Sequence, residues 1–233
     1  MMTNLVHLTA AYSNALLVAI LPYVSDFSKK LRLDIQQPVT PAQVIWLSPM
    51  HLKDSIDAGL VLSNHYWFAF SYGAVNAFHS PDDPFCDQDP AANWPNYAFG
   101  KDNMTTNEAI QLARTTMRQL GYQPEDLHAD GPPTKVQGPT DLKDGHHVPH
   151  CRIEWAQPWE GGPPDGDPGA LLQFDINLEK KALTGLCIMS RKIRRPQPKV
   201  AVQPELESDY QQRIKAHTGK MFIRTNAPPR FDR

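Results

Sequence analysis

The feature that most constrains the fold is the stretch of residues 105–190. In it, a capped amphipathic helix is followed by segments in which polar and apolar residues alternate strictly. Thr105 and Glu108 have the spacing of a capping box, in which both side chains satisfy free backbone N–H groups at a helix start. Small and apolar residues then recur at helical spacing up to Gly121, a residue type that commonly closes a helix. The spacing predicts an amphipathic helix with one face to bury.

Three segments after this helix have the character of strands. Residues 148–157 and 170–179 alternate polar and apolar positions with a period of two, and residues 182–190 are a third, apolar strand. This alternation predicts an antiparallel meander with one dry and one wet face. The intervening residues 158–169 are rich in Pro, Gly and Asp and are predicted to be a loop. The predicted dry-face residues are Cys151, Ile153, Trp155, Leu172, Phe174, Ile176 and Leu178.

The first half of the chain repeats this order. Residues 13–31 have a helical apolar stripe that Pro22 is expected to kink. Thr40 begins a second capped helix predicted to end near residues 48–49, and residues 59–80 read as a three-stranded meander. The repeated order suggests an internal duplication of one helix-plus-meander unit.

Part of the second half resembles a known family. The helix ending at Gly121, the run Phe174-Asp175-Ile176-Asn177 and the run Ala182-Leu183-Thr184 resemble the PepSY domain of peptidase propeptides, a helix-plus-meander module that is cystatin-like in shape. The resemblance covers about a third of the chain. It implies a non-enzymatic module that binds or inhibits another polypeptide, such as a peptidase. A meander has edge strands, and residues 59–63 or 148–157 are expected to lie at one and to offer free backbone groups to a partner.

These patterns predict an α+β fold in which helices pack on antiparallel β-meanders, as two duplicated helix-plus-meander units. The expected domains are residues 1–80, with the first meander, and residues 104–190, the PepSY-like part. A proline-rich linker, residues 81–103, separates them, and residues 191–233 form a basic helix and tail.

Charge and hydropathy restrict the partners. Residues 191–233 carry 11 Lys/Arg and 4 Asp/Glu, although the whole chain has a net charge of −2. The basic run 191–195 contains no aromatic residue for base stacking, so we expect it to fold back on an acidic body or to dock on an acidic partner, and we expect no nucleic acid. The longest apolar run, residues 15–21, is too short to span a bilayer. The chain as given is expected to be soluble, and export would require a signal before residue 1.

Two clusters could carry metal or thiol chemistry. His146, His147, His150 and Cys151 are metal-ligand types, but neighbouring strand residues such as His150 and Cys151 point to opposite faces, so we expect no bound metal and no cofactor. The second cluster has three interpretations. It could be a Cys–His pair of nucleophile and base with an orienting carboxylate, an oxygen-rich loop that binds a cation, or a proline-rich linker without chemistry. It comprises His79, Asp82, Asp83, Cys86 and Asp87.

A dense aromatic strand supplies the remaining candidates. Tyr66, Phe68 and Phe70 alternate with Trp67, so both faces of this strand carry aromatic side chains. One face must build the core, whereas Trp67 and the adjacent His65 either pack under the first helix or line a ligand groove. His65, Trp67 and His79 are therefore the ligand-binding candidates.

The sequence favours binding over turnover. It contains no glycine-rich phosphate loop, no G-x-S-x-G and no H-E-x-x-H. The main hypothesis is a non-enzymatic polypeptide-binding or inhibitory module. The alternatives are a small metal- or thiol-dependent hydrolase that uses a His/Cys cluster and a structural subunit with a docking tail. The three cysteines, Cys86, Cys151 and Cys187, leave a single disulfide open.

Overall fold

The computed structural model describes residues 9–52, 55–83, 99–157 and 170–189, with single residues at 196, 198 and 200. The chain divides into two compact units, of which the first reaches Val75 and the second begins at Asn76. Both units combine a helix with antiparallel strands, so the predicted α+β class is confirmed. The predicted 158–169 loop, the final helix in the basic tail and most of the linker lie outside the described residues.

The first unit has one long helix and an antiparallel meander. Helix α1 spans Ala10–Lys30, and strands β1 (Val44–Leu52), β2 (Ser55–Leu62) and β3 (Trp67–Ser71) pair in that order. Strand β4 (Ala74–His79) then begins at the end of this unit and runs into the second.

Helix α1 is continuous through Pro22, so the predicted stripe is one helix. Thr9 caps its start by accepting a hydrogen bond from the Tyr12 N–H at 3.2 Å. The stripe packs on β3, where Phe27 meets Phe68 with ring centres 6.1 Å apart in an edge-to-face arrangement. This aromatic contact places the α1 side of the sheet in the core of the unit.

The predicted second helix is wrong beyond its first turn. Its capping box exists, with the Thr40 N–H donating to Gln43 Oε1 at 2.7 Å, but the helix is a single 3₁₀ turn, Pro41–Gln43. Strand β1 follows and pairs with β2 along its length, with a bulge between Val44 and Trp46. The β-branched and aromatic residues after Gln43 favour a strand, and pairing with β2 overrides the local helix signal.

The second unit contains one helix, a sheet and a small hairpin. Helix α2 spans Thr106–Gln119, and a 3₁₀ turn follows at Glu125–Leu127. The strand order in the sheet is β4-β10-β9-β8-β5, and β6 pairs with β7 separately. The strands are β5 (Lys135–Gln137), β6 (Thr140–Asp141), β7 (His147–Val148), β8 (His150–Gln157), β9 (Ala170–Asn177) and β10 (Ala182–Met189).

The capping box of α2 and the dry face of the meander are confirmed. The Thr105 N–H donates to Glu108 Oε2 at 2.7 Å, and the Glu108 N–H donates to Thr105 Oγ1 at 3.3 Å. Trp155 and Phe174 meet edge to face with ring centres 6.0 Å apart. The apolar face of the sheet and α2 together form the core of this unit. Its buried members include Ala109, Ala113, Met117, Ile153, Trp155, Leu172, Phe174, Ile176 and Leu186.

Both predicted edge segments are wrong. Residues 59–63 fall largely in β2, which is paired with β1 on one side and β3 on the other. Residues 148–157 fall largely in β8, which lies between β5 and β9. The error has a physical cause, because β1 and β5 are strands that the sequence pattern did not reveal. No described helix is long and apolar enough to cross a membrane.

Candidate functional site

A row of polar residues crosses four strands on the face of the second unit's sheet that lies away from Trp155 and Phe174. His79 on β4 is opposite Gly185 on β10, Gly185 is opposite Asp175 on β9, and Asp175 is opposite Arg152 on β8. Directly opposed residues project to the same face of an antiparallel sheet. The register therefore brings residues from distant parts of the chain side by side.

The turn after β4 adds a second carboxylate to this row. The Ser80 N–H donates to Thr184 O at 2.7 Å, and the Asp83 N–H donates to Ser80 O at 3.1 Å, so the turn folds back over β10. Asp83 Oδ2 contacts His79 Nδ1, and the side chains of Asp83 and Asp175 are both fully buried. The ligand-type atoms of His79, Asp83 and Asp175 all lie within 4.8 Å of one another.

Gly185 makes this convergence possible. A Cβ atom at this position would lie 2.9 Å from Asp175 Oδ2 and would overlap Asp83 Oδ2. Both carboxylates therefore approach the same point above β10, and any larger residue would push them away. A glycine inside a strand often marks such a close approach.

Arg152 holds Asp175 in place. Its Nε donates to Asp175 Oδ1 at 2.6 Å and its Nη2 donates to Oδ2 at 3.0 Å, a bidentate pair. The Gln173 amide donates to the same Oδ2 at 3.0 Å. Burial, followed by the nearby charge of Asp83, raises the pKa of Asp175 to about 6, although Arg152 acts in the opposite direction.

Two more charged groups border the row. Lys180 Nζ lies 2.5 Å from Asp82 Oδ2, and the Lys180 N–H donates to Asn177 Oδ1 at 2.8 Å in the turn after β9. His150 is buried beside them, and burial lowers its pKa although the charges of Asp83 and Asp82 act to raise it. His150 is therefore neutral at physiological pH.

The three histidines proposed as weak metal candidates have different surroundings. His146 stacks on Phe99 with ring centres 4.1 Å apart and pairs with Asp144 at 3.0 Å. His147 lies between two carboxylates, whereas His150 is the buried neighbour of the polar row. The sequence grouped these residues by proximity along the chain, but the β7–β8 backbone directs them apart.

His147 is held from both sides of its ring. Its Nδ1 is 2.6 Å from Asp141 Oδ1, and its Nε2 is 2.9 Å from Asp102 Oδ1. An ionised carboxylate only accepts hydrogen bonds, so both ring nitrogens must carry protons to satisfy both contacts. The hydrogen bonds with Asp102 and Asp141 accordingly raise the pKa of His147.

The other ligand-binding candidates lie in the first unit. His65 is exposed in the β2–β3 turn, where it has a left-handed φ of 65° and its N–H donates to Leu62 O at 2.8 Å. Trp67 lies next to Gly59, on the face of β3 away from the Phe27–Phe68 contact. Trp67 is thus not under α1, and ligand binding by these two residues stays a prediction.

The described cysteines are poor nucleophiles. Cys151 and Cys187 are both free thiols. Burial raises the pKa of Cys151 to about 11 and that of Cys187 to about 12, so both remain protonated at neutral pH. Cys86, with Asp87, lies outside the described residues.

The sequence identified only part of the polar row. It singled out His79 and Asp83, together with Asp82 at the border of the row, but not Arg152, Asp175 or Gly185. Two signals for them were present, namely their positions on wet faces of alternating strands and a glycine within an apolar strand.

Comparisons with protein-family models, curated proteins and solved structures find no match to this chain.

Proposed function

We propose that this chain binds an extended segment of another polypeptide along β5. The observation that carries the proposal is the exposure of this strand. All three of its residues, Lys135, Val136 and Gln137, are exposed, and the apolar Val136 side chain is 40% exposed. An extended peptide can pair with a strand edge through main-chain hydrogen bonds, with side-chain contacts adding specificity.

The geometry around β5 supports docking of a strand. Among the described residues, β5 pairs with β8 on one side and with no strand on the other. Val136 is opposite the core residue Ile153, so its side chain lies on the α2 side of the sheet. A strand added beside β5 would place alternate side chains on that same side.

A depression adjoins this edge on the α2 side. It has a volume of about 600 Å³, and its lining includes Ile110 and Arg114 of α2 together with Pro132 and Pro133, which precede β5. The lining also includes Asn107, Glu108 and Gln111, so apolar and polar groups of both charges meet there, and Ile110 with the two prolines suits an apolar side chain of the docked segment. The edge and the depression are linked by the chain itself, because Pro133 lies two residues before the first residue of β5.

The wall of the depression is held firmly. The Arg114 guanidinium donates to Ala129 O at 2.9 Å and to Gly131 O at 2.6 Å, and it lies 5.9 Å from the centre of the Trp155 ring. The Trp155 indole N–H also donates to Gly131 O, at 3.1 Å. A surface held by such contacts loses little conformational freedom when a partner binds.

The PepSY-like resemblance supplies a class of partner for this surface. Modules of that kind restrain peptidases, so we include a peptidase among the proposed partners and inhibition among the proposed outcomes. The shortness of β5 favours reversible binding, because it limits the number of main-chain hydrogen bonds a partner can form.

The test replaces the exposed apolar side chain of β5 with a charge. Full-length wild type, Val136→Asp and a control, Val18→Asp, are used as baits in a native lysate, and the captured proteins are identified by mass spectrometry. Val18 is 70% exposed on α1 and is the matched apolar position in the other unit. We expect a protein that the wild type and Val18→Asp both capture to be lost with Val136→Asp. The melting temperatures of both variants should be close to that of the wild type.

Two results would count against this proposal. One is capture that Val136→Asp does not change. The other is loss of the same protein with Val18→Asp, which would indicate a different surface. Size-exclusion chromatography with light scattering, run on the same samples, shows whether the captured partner is a second copy of the chain.

A small metal-dependent hydrolase is the second candidate, and one observation favours it. His79, Asp83 and Asp175 are ligand types that hydrolytic metal sites use, and they converge in the polar row. Turnover of an ester or peptide substrate that requires added metal and is lost in His79→Gln would support this candidate. The thiol version has less support, because Cys151 and Cys187 remain protonated at neutral pH.

A further inference from the structure

We propose that His79, Asp83 and Asp175 bind one divalent transition-metal ion, of the Zn²⁺ or Mn²⁺ class, above Gly185. The donor set contains one imidazole nitrogen and two carboxylates, which suits these ions better than an all-oxygen set would. The inference concerns ion binding alone. It therefore stands or fails independently of docking at β5 and of any hydrolytic activity.

The geometry already gathers the donors. They come from β4, from the turn after β4 and from β9, and their ligand-type atoms lie within 4.8 Å of one another. Asp83 and Asp175 approach the same point above Gly185, where a Cβ would lie 2.9 Å from Asp175 Oδ2. The missing side chain leaves the two carboxylates free to face a common ligand.

The local charge is the second, independent observation. Three carboxylates, Asp82, Asp83 and Asp175, share this region with two permanent cations, Arg152 and Lys180. Two fully buried carboxylates this close together are costly unless a proton or a cation lies between them. Arg152 compensates Asp175, which leaves Asp83 facing His79.

Either a proton or a metal ion can complete this arrangement. The His79 nitrogen that contacts Asp83 would lose its proton to become a ligand, and the two groups would have to separate slightly to admit an ion. Asp175 accepts three hydrogen bonds, from Arg152 twice and from Gln173 once. Each carboxylate oxygen offers about two acceptor positions, so Oδ1 has one left, whereas Oδ2, the oxygen above Gly185, would bind a metal only after releasing the Gln173 amide.

The direct test uses the full-length chain stripped with a chelator and dialysed. It is titrated calorimetrically with ZnCl₂ alone, with MnCl₂ alone, and with MgCl₂ as a comparison. We expect one equivalent of Zn²⁺ or Mn²⁺ and weaker binding of Mg²⁺, which prefers an octahedral set of oxygens.

Three variants examine the site itself. His79→Gln and Asp83→Asn each remove a donor and are expected to weaken binding by about tenfold or more. Gly185→Ala keeps every donor but places a methyl group where the carboxylates meet, and it is expected to weaken binding as well. Melting curves of each variant show whether it is folded. If the donor variants do not fold, paramagnetic Mn²⁺ added to the wild type must still broaden the His79 proton resonances first.

Two control variants identify binding elsewhere on the surface. Asp82→Asn removes an exposed carboxylate next to the site, and His147→Gln removes a partly exposed histidine that has two carboxylate neighbours. Neither is expected to change the stoichiometry. The proposal would be overturned if the wild type showed no saturable binding. It would also be overturned if binding survived in both donor variants or was lost in His147→Gln. Preferential broadening of His146 or His147 resonances by Mn²⁺ would do the same.

Discussion

The two faces of the second unit's sheet both contain fully buried side chains, but these side chains are stabilised in different ways. One face buries apolar side chains such as Phe174 and Trp155 against α2. The other buries Asp175 and Asp83, whose side chains are as inaccessible as that of Phe174. An apolar side chain gains stability from burial itself, whereas a carboxylate loses solvation and depends on its partners.

This difference teaches where function is to be sought. Replacing a buried ion pair with apolar residues of similar size is often neutral or stabilising, so stability alone gives little reason to keep one. The apolar face is accounted for by folding. The polar row, in which Asp175 and Asp83 are buried beside the partly exposed Arg152, has a cost that a bound ligand would explain.

The largest expected effect is on the apolar face. Phe174→Ala should reduce the free energy of unfolding by about 3–5 kcal/mol, because it leaves a cavity beside Trp155 in a close-packed core. Urea or guanidinium denaturation of both proteins measures the difference. A loss under about 1 kcal/mol would mean that this face is not the core.

The second effect is on the polar face. Arg152→Met should cost about 3 kcal/mol, because it leaves Asp175 buried without its bidentate partner, so that the carboxyl must either stay charged there or take up a proton. The double variant Arg152→Met/Asp175→Leu should recover part of this loss, because it also removes the buried carboxyl group that Arg152 compensates. If the double variant is instead less stable than Arg152→Met, the contrast between the two faces fails.

Lys135→Met is the matched control for Arg152→Met. Lys135 is on the same sheet but its side chain is 59% exposed, and its pairing with Glu154 is 3.9 Å long. Exposed pairs contribute little, so the change in unfolding free energy should be within about 0.5 kcal/mol. A cost equal to that of Arg152→Met would show that burial does not separate the two pairs.

The smallest effect concerns the partly exposed ion cluster around His147. Asp102 and Asp141 raise the pKa of His147, so the folded state binds the second imidazole proton more tightly than the unfolded state does. This contribution to stability is fully present below the ordinary histidine pKa of about 6.5, and it is lost as the pH rises through the higher pKa that His147 has in the folded protein. Proton NMR should give a titration midpoint above that of Asp141→Asn. Equal midpoints would contradict the prediction.

The sequence predicted the elements whose signals are local. The capping box at Thr105 and the alternation in β8 and β9 each depend on residues close in the chain, and the structure confirms them. The PepSY-like resemblance and the duplication stay predictions. Strand β5 was missed because it is short and its pairing partner, β8, comes later in the chain. Strand β1 was missed because the capping box at Thr40 favoured a helix, although β1 pairs with β2, the next strand along the chain.

The candidate site was predictable only in part, for a similar reason. His79, Asp82 and Asp83 are adjacent in sequence and were recognised as a group. Arg152, Asp175 and Gly185 join them only through strand register, which a single sequence does not specify. His146 and His147 show the reverse error, because these neighbours in the chain direct their side chains to different partners.

The bulge and the proline of β1 have a consequence for self-association. Within the described residues β1 has a partner strand on one side, so its other edge could template the addition of a further chain. The bulge between Val44 and Trp46 interrupts a regular hydrogen-bond ladder, and Pro49 offers no N–H to one. A second copy of the chain that paired with β1 would meet both irregularities. A redesign that straightened β1 and replaced Pro49 is therefore expected to make such pairing easier.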